Sequence, residues 1–227
     1  MVLKDGEVMS KSKGNTVDPD LIIQRYGADS MRLFILFAAP PETELEWDDR
    51  GIEGASRFIN RVWRIQDNLK PAAESEMLKA MHRAVKKVTE DMESFKFNTA
   101  IASMMEFVNA IYQYGADRKV YSTFIQLLSP IAPHMCEELW QILGNPGALA
   151  RAAWPVFDPS MLVEDRVTYA VQINGKVRSR LEIAAAAGEK ELRAAVLSDE
   201  KLKPWVEGKE IKKFIVVPGK LVNIVAA

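Results

Sequence analysis

The spacing of the apolar residues changes from a helical to a strand period near residue 160, and this change constrains the fold more than any other feature. Before it, apolar side chains recur every three or four residues in segments joined by short connections. After it, apolar and polar residues alternate in short segments. We therefore predict a multidomain chain, mainly α and then α+β, with a helical bundle over 41–160 and a small domain over 161–227. Residues 1–40 form a separate leading region.

The net charge of −1 conceals an asymmetry between these regions. Residues 1–165 carry 18 Lys and Arg against 24 Asp and Glu, whereas residues 166–227 carry 12 against 7. Because phosphates are attracted to basic surfaces, electrostatics favours the last region as the part that meets them. One cysteine and two histidines exclude a disulfide framework, and we expect no structural metal site.

The sequence predicts no targeting or membrane-spanning segment. Its first residues are too polar for a signal peptide. No apolar run approaches the roughly 20 residues that a bilayer-spanning helix needs. We therefore expect a cytoplasmic protein.

Five helices are predicted in the bundle. The first follows a cap at Asp48 or Asp49, the third follows Asn98, and the fourth runs from about Asp117. The fifth begins near Pro133 and ends at Gly144, and the short connections favour an up-and-down bundle.

Basic residues are interleaved along the first of these helices. Their three-four spacing places them on one helix face: Arg57, Arg61 and Arg64. They could follow the phosphates of an RNA, or they could form a solvated helix face.

The alternation in the tail predicts two hairpins around one helix. Asn174-Gly175 separates the strand segments 167–173 and 176–183. A two-residue turn would put apolar and basic residues on one face, so we favour a three-residue loop that pairs Gln172 with Lys176. That register brings three basic side chains together on the outer side: Lys176, Arg178 and Arg180.

The second half of the tail completes a compact α+β unit. Helical segments at about 188–197 and 201–206 precede strands at 211–217 and 221–225, an order similar to a β-grasp fold. Further candidates for phosphate contact lie on these strands and their turn: Lys212, Lys213 and Lys220. Solubilising charge on an exposed sheet face is the alternative.

The N-terminal segment 8–15 reads Val-Met-Ser-Lys-Ser-Lys-Gly-Asn and puts ammonium groups at alternate positions of a short flexible run. Alone, it fits a solvated basic linker. Downstream, Asp18 is a good helix cap, Pro19 fits the first turn, and Gly27 can take the left-handed conformation after the helix. A second helix runs from about residue 29 to 38, before two prolines.

The loop joined to Asp18-Pro19 and to the segment 25–30, Arg-Tyr-Gly-Ala-Asp-Ser, resembles the signature-loop region of class I aminoacyl-tRNA synthetases for leucine, isoleucine, valine and methionine. The segment 127–140 resembles the end of their helical anticodon-binding domain. Segments 45–47 and 172–178 resemble the bacterial leucyl-tRNA synthetase family, and that similarity extends over essentially the whole chain.

The resemblance implies that the loop holds the triphosphate of ATP, accompanied by Mg²⁺, during leucine activation. Position 8 commonly carries lysine in this family but is Val8 here, so the main, catalytic role passes to Lys11. The implied nucleotide-binding residues are Met9, Ser10, Lys11, Ser12 and Lys13. Mobile ammonium groups suit this chemistry because negative charge develops on the leaving pyrophosphate.

The resemblance also implies the partners and the extent of the protein. In this family the loop follows the catalytic domain, so the chain would be the C-terminal part of a leucine–tRNA ligase, inactive alone and monomeric. Its ligands would be ATP, leucine and a leucine tRNA, with the bundle along the anticodon-stem side and the terminal unit at the outer corner. The alternatives are a free-standing tRNA-binding adaptor or chaperone, and the matching region of an isoleucyl or valyl enzyme.

Overall fold

The computed structural model describes residues 1–162, 166–185 and 187–226. The chain divides into two compact units, Met1–Leu162 and Val163–Ala227. Helices dominate the described part of the first unit, and each unit contains a small mixed sheet. Within the described ranges, no helix is both long and apolar enough to cross a membrane.

The first unit begins with a three-stranded sheet. Strand β1 (Val2–Lys4) pairs antiparallel with β2 (Glu7–Val8) and parallel with β3 (Leu45–Glu46). Asp5 and Gly6 form the hairpin turn with φ values of 56° and 75°. The parallel pairing ties the N-terminal hairpin to the segment that precedes the bundle.

Two helices follow the hairpin, α1 (Pro19–Tyr26) and α2 (Ala28–Ala38). The predicted cap is confirmed, since the Asp18 carboxylate accepts a hydrogen bond from the Asp20 amide at 2.9 Å. The predicted left-handed conformation of Gly27 is wrong. Its φ of 85° is combined with a ψ of 154°, which lies outside the left-handed helical region, and α2 begins at the next residue. This backbone conformation still favours glycine.

The bundle consists of five longer helices. Their bounds are α3 (Asp49–Arg64), α4 (Ser75–Glu93), α5 (Phe97–Tyr114), α6 (Arg118–Leu128) and α7 (Pro133–Ile142). Asp48 caps α3 and Asp117 caps α6, as predicted. The predicted cap at Asn98 is wrong, because the Lys96 amide donates to the Asp91 carbonyl at 2.8 Å and the chain has already reversed before residue 98.

The apolar stripes of these helices form one core in the first unit. Its fully buried members include Ile52, Val88, Ile101, Phe124 and Leu139. The Tyr121 hydroxyl is buried there and donates to the Val62 carbonyl at 2.7 Å, so α6 is hydrogen-bonded to α3 through the core. Burial raises the pKa of Tyr121 and that of the Cys136 thiol, so both groups stay protonated at neutral pH.

The second unit is a four-stranded sheet with two short helices. Its elements are β4 (Arg166–Ile173), β5 (Lys176–Ala184), α8 (Glu189–Ser198), α9 (Lys203–Val206), β6 (Ile211–Val217) and β7 (Leu221–Ala226). The strand order is β5-β4-β7-β6, with the two central strands parallel and both hairpins antiparallel. Leu192 and Val196 of α8 join Val171, Val222 and Ile224 in the core of this unit.

The first hairpin of this sheet has a two-residue turn, so the predicted three-residue loop is wrong. Asn174 and Gly175 both have positive φ, 49° and 80°, and Ile173 pairs with Lys176. The Asn174 side chain donates to the Ala226 carbonyl at 2.9 Å and accepts from its amide at 3.1 Å. These two hydrogen bonds hold the turn against the end of β7.

A bulge in β5 corrects the register beyond that turn. Gln172 pairs with Val177, but Val171 pairs with Ser179, so Arg178 is the extra residue. The predicted pairing of Gln172 with Lys176 is therefore wrong, and Val177 is exposed. The bulge also removes Arg178 from the predicted outer stripe of basic residues.

Candidate functional site

The predicted nucleotide loop is a short turn mounted on the β1–β2 hairpin. Lys11–Lys13 form one 3-10 turn, and Gly14 ends it at a φ of 65°. The Asn15 side chain closes the loop, because its Oδ1 accepts from the Ser10 amide at 2.8 Å and its Nδ2 donates to the Val8 carbonyl at 3.2 Å. The sequence offered one signal for this role, the preference of asparagine for turns.

The two lysines of the loop have different surroundings. Lys13 Nζ lies 3.1 Å from Glu7 Oε2 in an exposed ion pair. Lys11 is exposed, and its ammonium group makes no ion pair or hydrogen bond with the described part of the chain. Lys11 can therefore meet an anion directly, whereas Lys13 must first leave Glu7, at a cost of at most about 1 kcal/mol.

The other predicted loop residues form its base and its polar edge. Met9 is half-buried against the core of the first unit, and its amide donates to the Val2 carbonyl at 3.0 Å. The hydroxyl oxygens of Ser10 and Ser12 lie 3.2 Å apart. The loop thus has an anchored start and an exposed, hydrogen-bonding tip.

The three predicted RNA-binding arginines of α3 are all exposed, but they differ in their contacts. Arg61 donates to Asn109 Oδ1 at 2.9 Å, and its guanidinium lies 5.0 Å from the centroid of the Tyr112 ring. Arg57 and Arg61 border a cavity of about 690 Å³, whereas Arg64 borders a different one. Arg61 therefore links α3 to α5, which gives it a structural contact in addition to any with RNA.

The predicted basic residues of the second unit do not form one stripe. Those that are exposed are Lys176, Arg180, Lys212, Lys213 and Lys220. Arg180 pairs with Ala170, and Lys213 pairs with Val225, so both lie on the sheet face opposite the core. Arg178 is half-buried, and its guanidinium carbon lies 3.6 Å from the centroid of the Trp205 ring. Sequence reasoning missed Trp205 because its stacking partner depends on the bulge.

A metal site among the described residues would need several His, Cys, Asp or Glu side chains close together. No group of three or more His, Cys, Asp or Glu side chains there could hold a metal ion. The lysine-bearing loop and the basic second unit are features of the described chain that suit anionic ligands.

Family models place the chain among known proteins. The model described as the anticodon-binding domain of tRNA ligase matches residues 74–193, more than half of the chain. The chain belongs to this tRNA ligase family. A second model, for class I tRNA synthetases (I, L, M and V), matches residues 1–48, which include the loop.

Several relatives of this tRNA ligase chain are leucine–tRNA ligases. Leucine–tRNA ligases from Geobacter sp. and Citrifermentans bemidjiense are each 48% identical to it over 100% of the chain. The one from Geotalea uraniireducens is 45% identical over 99%. The chain spans about 30% of the length of these relatives. They favour neither a free-standing adaptor nor an isoleucyl or valyl enzyme.

A solved structure is similar to the chain over its whole length. The chain superposes with a TM-score of 0.85 and 29% identity on a ternary complex of LeuRS from Agrobacterium radiobacter with tRNA and LeuAMS. The match covers 100% of this chain and 32% of that one. The helical fold with two small mixed sheets and an anticodon-binding domain is therefore that of a known tRNA ligase region.

Proposed function

We propose that the chain is the C-terminal part of a leucine–tRNA ligase, where it supplies tRNA-binding surfaces and the ATP-phosphate loop. The whole enzyme would attach leucine to its tRNA at the expense of ATP. The observation that carries the proposal is the identity of 43–48% to leucine–tRNA ligases over 99–100% of the chain. A shared function of the matched region is the simplest reason for similarity spread over both units.

In this proposal Lys11 acts on the leaving pyrophosphate. Its exposed ammonium group, carried on a flexible stem, can follow the charge that develops as the bond to the α-phosphate breaks. Lys13 would be a second cation once it leaves Glu7. Met9, Ser10 and Ser12 would shape the loop around the triphosphate, and Mg²⁺ bound with ATP would neutralise phosphate charge.

Both units would contact a leucine tRNA. The helices of 41–160 would lie along the anticodon-stem side, with Arg57, Arg61 and Arg64 facing the RNA backbone. The second unit would contact the outer corner of the tRNA. Its strand order, with two hairpins and two short intervening helices, supports a β-grasp-like fold for 161–227. Residues 1–40 would adjoin the catalytic domain of a monomeric, cytoplasmic enzyme.

The chain alone is expected not to activate leucine, because it spans about 30% of the ligases that it resembles. A chimera tests the proposal better than the isolated chain does. In the Geobacter sp. enzyme, the matching 30% is replaced by this chain, and leucine-dependent ATP–pyrophosphate exchange and tRNA charging are measured.

We expect the chimera to charge a leucine tRNA with leucine but not with isoleucine or valine. The Geobacter enzyme without the matching region is the negative control, and the isolated chain should show no exchange. A folded chimera no more active than the truncated enzyme would contradict the proposal. Leucine-dependent exchange by the isolated chain would contradict only the predicted inactivity of that chain, and not the proposed function.

A further inference from the structure

We infer that Arg178 and Trp205 together form a surface on which a base of a bound RNA stacks. The inference rests on the proposed function, since it assumes that the second unit meets a tRNA. Arg178 would then be half of a planar stacking surface instead of one of several phosphate contacts.

The stacked pair arises from the bulge in β5. Because Arg178 is the extra residue of that bulge, it leaves the alternation of the strand. Its guanidinium carbon lies 3.6 Å from the centroid of the Trp205 ring, which is a cation–π contact. The Nε atom is buried and lacks a hydrogen-bond partner among the described residues, so stacking, and not a hydrogen bond at this atom, holds the guanidinium there.

Trp205 is presented outward by residues that are fixed on both sides of it. Leu202 is fully buried, and Val206 packs against the same core, which anchors α9. Trp205 itself stays 38% exposed. An anchored helix that exposes an indole loses little conformational entropy when a ligand covers the ring.

The segment before α9 is tied to the strand that carries Arg178. The Ser179 hydroxyl donates to Asp199 Oδ2 at 2.5 Å, and Asp199 Oδ1 accepts from the Lys201 amide at 3.0 Å. Ser179 directly follows Arg178, so these bonds help to fix the guanidinium relative to the indole.

An RNA base fits this surface better than an apolar partner does. Bases stack on indole rings and on guanidinium planes alike. A purely apolar ligand would desolvate the guanidinium without giving it a counter-charge. RNA places a phosphate close to each base, and residues 166–227 carry 12 basic against 7 acidic residues to receive it.

The test makes the same charge-preserving change, arginine to lysine, at two nearby positions of β5 and compares the effects on tRNA binding. Binding of the 227-residue chain to a leucine tRNA transcript is measured over a range of salt concentrations for R178K, R180K, W205A and W205F. R178K removes the planar group and R180K makes the same chemical change on the opposite face. We expect W205A to bind about tenfold more weakly, since stacking on an aromatic residue has this order of effect. R178K should bind several-fold more weakly, whereas W205F and R180K stay near wild type.

The salt dependence distinguishes stacking from phosphate contact. Loss of a phosphate contact lowers the slope of log affinity against log salt by about one. We expect W205A and the charge-removing variant R178M, measured in the same way, to keep the wild-type slope while losing affinity. Thermal unfolding shows whether each variant is folded. If W205A is not folded, the tRNA affinity of R178K tests the inference.

Three results would overturn the inference. The first is wild-type affinity in both W205A and R178K, and the second is an equal loss in R178K and R180K. The third is a lower salt slope in R178M, which would make Arg178 a phosphate contact. If the wild-type chain fails to bind the transcript even at low salt, the proposed tRNA binding fails as well.

Discussion

The carboxylate of Asp29 on α2 accepts hydrogen bonds from the start of α7, where it lies 2.8 Å from His134 Nδ1 and 2.7 Å from the Met135 amide. Arg32, on the same helix, donates to the carbonyls of residues 130 and 131 at 2.9 Å. One helix thus satisfies the polar backbone groups on both sides of the break between α6 and α7. The segments that suggested the family from sequence are the ones that meet here.

Replacing Asp29 with alanine should lower the free energy of unfolding of the first unit by about 2 kcal/mol, because a buried amide loses its acceptor. Asp18→Ala is the matched control, since it removes an exposed cap that serves only its own helix. Urea unfolding followed by helical circular dichroism measures both. A loss in Asp29→Ala no greater than in Asp18→Ala would contradict the role of Asp29 in joining the two helices.

Two glycines of α3 should respond to alanine in opposite directions. A Cβ at Gly51 would lie 2.5 Å from the ring of Phe34, which is buried and packs edge-on against Trp47. Gly51→Ala should therefore destabilise the first unit by about 1–3 kcal/mol.

At Gly54, the nearest atom to the added Cβ would be Arg57 Nη2 at 3.7 Å. Gly54→Ala should stabilise the unit by about 0.5–1 kcal/mol, the usual gain in a helix. Thermal unfolding of the two variants gives the sign of each effect. Stabilisation by Gly51→Ala would show that Phe34 can move aside.

Features governed by neighbouring residues were predictable from the sequence. Asp18, Asp48 and Asp117 cap helices because their side chains reach an amide two or three residues later. Gly144 ends α7 at a φ of 67°, which the pattern also indicated. The contact between Asp29 and His134 was not predictable, since it joins residues 105 positions apart and only packing brings them together.

In the candidate sites, too, the contacts that depend on distant residues could not be predicted from the sequence. The sequence pointed to Lys11 through the loop motif, but the pairing of Lys13 with Glu7 depends on the hairpin that carries the loop. In the second unit, the alternation of residues predicted the strands and not the bulge. A bulge changes the register without changing the composition of a strand, so the stacking of Arg178 on Trp205 became visible only in the structure.

The two loop lysines should differ in the chimeric ligase. Lys11→Ala should reduce the maximal rate of leucine-dependent pyrophosphate exchange about 100-fold, because the role proposed for Lys11 is to stabilise the charge on the leaving group. Lys13→Ala should cost less than tenfold, since Lys13 pairs with Glu7 before ATP binds. Steady-state kinetics with varied ATP and leucine measures both rates. Equal losses would contradict the difference that the structure shows between the lysines.

The hydrogen bond from Ser179 lowers the pKa of Asp199 below its usual range, and this makes the stability of the second unit depend on pH. Because the folded pKa lies below the unfolded value of about 3.9, the stabilisation is present above that value and is lost as the pH falls through the folded pKa. Ser179→Ala should raise the pKa of Asp199, as an NMR titration of its carboxyl carbon would show. The variant should unfold at a lower temperature than wild type at pH 6, and the difference should shrink in acid. A difference in Tm that stays constant down to the lowest pH would mean that Ser179 acts by packing alone.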